Sequence, residues 1–156
     1  LDLYAGFNKR KGGQYIIHIP VTTQQSVDAG RNLWGYPKTL QPIQHNFINN
    51  KVETQLYNVA NQPLLQISGS LGAGIPIPTM QLMTYSFMKE QLIKTTVNIF
   101  SGMKWKLGSK LKIQVIDSAD PIGKDIIELG ITDKHPIFTI ESKHFKAQFN
   151  EGQQIS

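Results

Sequence analysis

The sequence predicts a mainly β (α+β) domain: a curved antiparallel sheet or closed β-barrel with two short helices. Three observations lead there. Short segments alternate apolar and polar residues with the two-residue period of a half-buried strand, most cleanly Lys110 to Val115, where Leu111, Ile113 and Val115 share one face. Turn-forming groups such as Asn49-Asn50 and Asn61-Gln62-Pro63 punctuate these segments. Two stretches carry helix start and stop signals.

In chain order, Gln14 to Val21 is an apolar, Ile- and Val-rich run of strand length. Thr22-Thr23-Gln24-Gln25 then has capping-box spacing: a threonine oxygen can accept from an early backbone N–H while Gln25 reaches back. The helix it opens runs to about Leu33 and stops at Gly35-Tyr36-Pro37, because proline disfavours helix at the residue before it. Residues 40 to 71 read as a meander, with Val52, Thr54 and Leu56 on one side of a strand over Lys51 to Val59. Gly69 to Pro78 reads as a long loop. Two longer segments, about 79 to 89 and 92 to 107, pair around Lys89-Glu90-Gln91. Asp120-Pro121 opens the second helix, an N-cap followed by proline at the first helical position. That helix carries Ile122, Ile126 and Leu129 on one face and ends at Gly130. Phe145, Ala147 and Phe149 alternate as a last strand.

The 156 residues amount to one domain, 1–156, with no internal repeat or linker. At 40% hydrophobic and 17% charged residues, the composition is that of a folded globular chain. No apolar run approaches the ~20 residues needed to span a bilayer. There is no signal-peptide pattern, and position 1 is Leu, so the chain reads as a fragment, a processed form or a trimmed chain. The absence of cysteine removes disulfides and thiolate chemistry and fits a reducing, cytoplasmic compartment. Net charge is +5, but the basic residues are scattered. The tight cluster Lys9-Arg10-Lys11 reads as a solvated loop, and no nucleic-acid or membrane partner is expected.

Most candidate motifs have plain readings. Gly69-Ser70-Leu71-Gly72-Ala73-Gly74 lacks the Lys-Ser/Thr of a phosphate loop, and Pro76 and Pro78 bar a helix after it. His18, His45, His135 and His144 have no metal-binding spacing, so no metal is expected. There is no Gly-x-Ser-x-Gly elbow. Asp28 reads as an exposed helix residue and Glu53 as a mid-strand one, with neither half of an acid/base pair.

The segment around Lys38 differs. A helix ends, Gly35 and Pro37 fix a sharp turn, a lysine heads the next strand, and Trp34 and Tyr36 supply aromatic walls. From the residues alone, such a lysine could simply extend to solvent along its apolar stem. Gly30, Arg31, Tyr36, Pro37 and Lys38, however, follow the order of a motif in which Gly-Arg precedes (Tyr/Phe)-Pro-Lys, here with the four residues Asn32 to Gly35 between, and the chain here resembles the acetoacetate decarboxylase superfamily. The likeness covers most of the chain, with only the lysine motif specific.

The resemblance implies an acetoacetate decarboxylase-like barrel and a lysine, Lys38, that forms a Schiff base with a ketone. The activity implied is decarboxylation of a small β-keto acid, or aldol or dehydration chemistry through the same iminium. No organic cofactor is implied, since the iminium is itself the electron sink. Tyr36, Trp34, Thr39 and His18 are the implied substrate-pocket residues, and Arg31, Gly35 and Pro37 shape the site. A homo-oligomer is implied too. Two departures bear on function. Thr39 stands where the decarboxylase has a second lysine, and the family's front segment, with an arginine and a glutamate of the active site, is expected to be missing. A non-catalytic module that binds a small ligand on the same fold is therefore the competing reading.

Overall fold

A computed structural model describes residues 13–100 and 102–155, so the Lys9–Lys11 cluster lies outside the described residues. The fold is mainly β with two helices. The elements are β1 (Gln14–Tyr15), β2 (Ile19–Val21), α1 (Gln24–Trp34), β3 (Lys38–Leu40), β4 (Ile43–Ile48), β5 (Lys51–Tyr57), β6 (Pro63–Ser70) and β7 (Ala73–Ile77). They continue with β8 (Met80–Met88), β9 (Gln91–Ile99), β10 (Met103–Leu107), β11 (Lys110–Val115), α2 (Pro121–Glu128), β12 (Phe138–Ser142), β13 (Ala147–Phe149) and β14 (Gln153–Ile155).

Two compact units are distinguished. The first comprises the chain up to Thr39, Pro78–Gly102 and His144–Ser156; the second comprises Leu40–Ile77 and Met103–Lys143. In the first, β8 and β9 form a hairpin with partners Met80↔Ile99 through Met88↔Gln91, closed by Lys89 and Glu90 at φ 49° and 63°. Such a pair of positive φ values matches the twist of the strands it joins. β13 and β14 add to β9, and β1 joins β8 in parallel rather than antiparallel sense. Ile93, Thr95, Val97 and Ile99 alternate inward along β9, with Thr84 and Ser86 buried on β8. Three of these six inward residues carry hydroxyls, so this core must place polar groups as well as pack.

The predicted strand Gln14 to Val21 is two strands. Its first residues pair with β8, Ile16 N–H donates to the Tyr85 carbonyl, and after His18 the chain changes partner to β3. Apolar composition sets strand propensity but not the partner, so the break left no mark in the sequence. α1 follows with its cap one residue later than the capping box predicts. Thr23 is the N-cap and its side chain accepts from Ser26 N–H, so Ser26, not Gln25, occupies the third helical position.

In the second unit β4, β5 and β6 form the predicted meander, and β11 adds to β6. Asn49 and Asn50 at φ 50° and 64° make its first turn. Leu56, Leu64, Leu65 and Ile122 form the core, with Ile43, Ile113, Val115 and Ile126 packed against it. α2 starts as predicted: the Asp120 carboxylate accepts from Ile122 N–H at 2.9 Å. Leu129 is its exposed C-cap rather than part of the apolar face, and Gly130 follows at φ 61°.

Two predictions fail in this unit. Residues 69 to 78 are not a loop: β6 continues to Ser70 and β7 pairs with β10. Pro76 is tolerated because, among the described residues, β7 is an edge strand with a partner on one side. The predicted strand 92 to 107 is β9 in the first unit and β10 in the second. β7, β10 and β12 make a three-stranded antiparallel sheet. The four ladders are open: among the described residues none returns to its first strand, so the closed barrel, one of the two expected forms, is not seen.

Candidate functional site

The site is built on the end of α1 and the start of β3, both in the first unit. α1 stops because Gly35 takes the left-handed conformation, at φ 63° and ψ 20°; its N–H donates to the Arg31 carbonyl at 3.2 Å, and the Tyr36 N–H donates to the Gly30 carbonyl at 3.1 Å. A side chain at Gly35 would also crowd the Phe87 carbonyl oxygen at 2.6 Å. The chain therefore reverses beside β8, Tyr36 is buried, and Lys38 starts β3 running back along the helix.

Three contacts then fix Lys38. Arg31 Nε donates to the Lys38 carbonyl at 2.8 Å, which locks the backbone. The aliphatic stem lies on Gly30: a Cβ there would overlap Lys38 Cδ and stand 2.6 Å from Cε. At its tip, Lys38 Nζ donates to Ser26 Oγ at 3.0 Å. Ser26 and Gly30 are four residues apart, so they stack on one helix face, and the lysine side chain runs along that face. This geometry gives the glycine and the arginine of the motif separate jobs: Gly30 makes room for the stem, and Arg31 holds the peptide that carries it.

Burial lowers the Lys38 amine below its ordinary pKa of 10.5. Desolvation favours the neutral, nucleophilic form. The Ser26 hydrogen bond, by accepting from the ammonium, works the other way, so the two contacts oppose each other.

The aromatic residues form a cluster at the helix end. Trp34 stacks on Tyr36 at 6.2 Å and meets Phe149 at 5.0 Å between ring centroids. Its indole N–H donates to the Asn150 carbonyl at 2.9 Å. Tyr36 OH lies 2.7 Å from Thr84 Oγ1, and Thr84 donates onward to the Thr95 carbonyl at 3.1 Å. Since the threonine has one proton and uses it on that carbonyl, the tyrosine is the donor in the first bond. These rings anchor the helix end to β8 and β13.

Tyr36, Pro37, Gly35 and Arg31 line a cleft of about 460 Å³ together with Phe87, Met88 and Lys89; Lys38 is not among its lining residues. Thr39 follows Lys38 in β3, half-buried, and His18 is half-buried between β1 and β2. No group of three or more His, Cys, Asp or Glu residues placed to hold a metal ion is found among the described residues. None of the described helices is long and apolar enough to cross a membrane.

Sequence reasoning missed Ser26 and Thr84. Ser26 had a usable signal, its i to i+4 spacing from Gly30 on the helix that precedes the lysine. Thr84 had none, because its contact with Tyr36 spans 48 residues.

No protein-family model matches the chain, and no curated protein matches it by sequence. Solved structures do. An acetoacetate decarboxylase from Legionella pneumophila aligns over 92% of this chain and 60% of its own, with a TM-score of 0.61 and 14% identity. A second acetoacetate decarboxylase structure aligns over 90% of this chain and 62% of its own, with a TM-score of 0.52 and 10% identity. The chain thus spans about three fifths of the length of each. At these identities the likeness is one of fold: the chain has the acetoacetate decarboxylase-like fold.

Proposed function

We propose that this chain is a lysine Schiff-base protein acting on a small keto acid, with decarboxylation of an acetoacetate-like β-keto acid as its reaction. The observation that carries the reading is Lys38, an amine laid along a helix face, held at both ends and biased toward its neutral form by burial. The likeness in fold to acetoacetate decarboxylases supports it.

In this reading the neutral Nζ attacks the ketone carbon, and loss of water leaves an iminium. Carbon dioxide departs as its bonding electrons move into the cationic C=N, giving an enamine; protonation at carbon and hydrolysis then release the ketone and the free amine. Ser26 Oγ accepts a hydrogen bond from Nζ and would hold the amine before attack. The same iminium could serve aldol or dehydration chemistry. The lysine is the electron sink, so the proposed reaction calls on no cofactor. Tyr36, Trp34, Thr39 and His18 remain the proposed pocket residues, and assembly as a homo-oligomer belongs to the same proposal.

One observation favours a second reading, a binding module without turnover. Thr39, not a second lysine, follows Lys38, and burial is the cause of the lowered pKa.

Incubation with acetoacetate or a small diketone, then borohydride and intact mass measurement, separates the two. The proposal expects a covalent adduct on the wild type that Lys38→Arg abolishes. Absence of an adduct, where a known decarboxylase is trapped, would overturn the Schiff-base reading for these ligands.

A further inference from the structure

The β11-β6-β5-β4 sheet of the second unit has one apolar face, and α2 covers only one end of it. There Leu56, Leu65 and Val115 meet Ile122 and Ile126. Farther along the same face lies the cross-strand row Val52, Gly69 and Leu111. Gly69, at φ 142°, has no room for a side chain, since a Cβ would overlap the Lys110 carbonyl oxygen. The middle of the row therefore carries no side chain, and a cavity of about 680 Å³ is lined by the two residues that flank it, Val52 and Leu111.

Its apolar lining comes from Phe47, Val52, Leu71 and Leu111, and Thr139–Lys143 borders it from β12 onward. A small number of oriented polar groups join them. Glu141 is ion-paired to Lys106 at 2.8 Å, both side chains being about nine-tenths buried. Thr139 Oγ1 lies 2.6 Å from Ser109 Oγ, and His45 Nδ1 lies 2.7 Å from Thr54 Oγ1. An apolar chamber of several hundred Å³ with a few fixed polar groups is the usual form of a small-molecule site. The charges indicate which molecule. Lys106 cancels Glu141, while Lys143 is exposed and has no ion pair among the described residues. The net charge of the lining and its buried partner is thus positive.

We propose that this cavity binds a medium-chain monocarboxylate, its alkyl chain against Phe47, Val52, Leu71 and Leu111 and its carboxylate at Lys143. The site is independent of the Lys38 chemistry.

The test titrates the full chain with hexanoate, heptanoate and octanoate, and with octan-1-ol as the uncharged probe, following backbone amide shifts by NMR. Saturable shifts are expected at Val52, Leu111 and Glu141, with affinity rising about fourfold per methylene. Octanoate should bind up to about fivefold more tightly than octanol at low salt, a preference that Lys143→Gln removes. Leu111→Trp fills the cavity and should abolish binding of both; Val52→Phe does the same with a smaller volume change if the tryptophan variant fails to fold. Shifts that map elsewhere, or no saturable shift with any probe, overturn the site. Equal affinity for octanoate and octanol in the wild type overturns its carboxylate specificity.

Discussion

Gly30→Ala separates the stability of the fold from the placement of the candidate amine. Gly30 lies inside α1, where alanine is favoured over glycine by about 1 kcal/mol. The added methyl would overlap Lys38 Cδ and sit 2.6 Å from Cε, but these atoms belong to a flexible side chain that can turn aside. Moving that stem to a poorer rotamer costs about 0.5–1.5 kcal/mol. The two effects nearly cancel, so stability should stay within about 1 kcal/mol and the melting temperature within about 4 °C of wild type. The amine fares differently. Its stem leaves the helix face and Nζ leaves Ser26, and a misplacement of this size can cost about 100-fold in rate. Thermal unfolding and the rate of borohydride-trapped adduct formation with acetoacetate, measured on one preparation, give both readouts. A normal melt with trapping slowed at least about tenfold is the expected result. A normal melt with wild-type trapping would refute the claim that Gly30 positions the lysine.

Removing the Ser26 hydroxyl should deepen the Lys38 shift. Ser26→Ala deletes a bond that favours the ammonium, so the amine pKa falls further and the pH midpoint of trapping moves down; an upward move would contradict the contact. The Lys38 shift also sets a pH dependence of stability. Because the folded pKa lies below the unfolded value, the unfolded chain binds more protons between the two, and stability rises with pH through that window. Chemical denaturation as the pH is raised toward the ordinary lysine value of 10.5 should show this rise in the wild type and its loss in Lys38→Met. In the second unit, Lys106→Met strands the Glu141 carboxylate and should cost about 3 kcal/mol, whereas the double variant with Glu141→Leu should recover most of it. A double variant as unstable as the single one would mean that the cost is in packing rather than charge.

The elements legible in the sequence were those whose cause is local. Lys110 to Val115 alternates over its full length and is a strand with those bounds. Asp120-Pro121 caps α2 through contacts two residues away. The turn at Lys89 and Glu90 is legible from the strands on either side of it, since neither residue favours positive φ. What was not legible depended on partners distant in sequence. The switch of ladder after His18, the parallel pairing of β1 and the passage from β9 to β10 between units follow from pairings that no local pattern records. Gly69, Gly72 and Gly74 read as loop residues, yet at the first two a side chain would collide with the backbone of a neighbouring strand. Glycine that admits close approach and glycine that makes a turn look alike in sequence. At the candidate site, the motif gave Lys38 and the residues that shape its turn. The partner of the amine, Ser26, was hidden because a serine inside a helix is ordinarily read for its effect on the helix alone.

The central claim is that Lys38, among all the lysines of this chain, is the amine that condenses with a ketone. Peptide mapping by mass spectrometry after acetoacetate incubation and borohydride reduction tests it most directly. The account predicts a reduced adduct on the peptide containing Lys38, formed faster than at any other lysine and fading as pH falls and the amine protonates. Adducts spread evenly over surface lysines, or concentrated elsewhere with Lys38 unmodified, would contradict it.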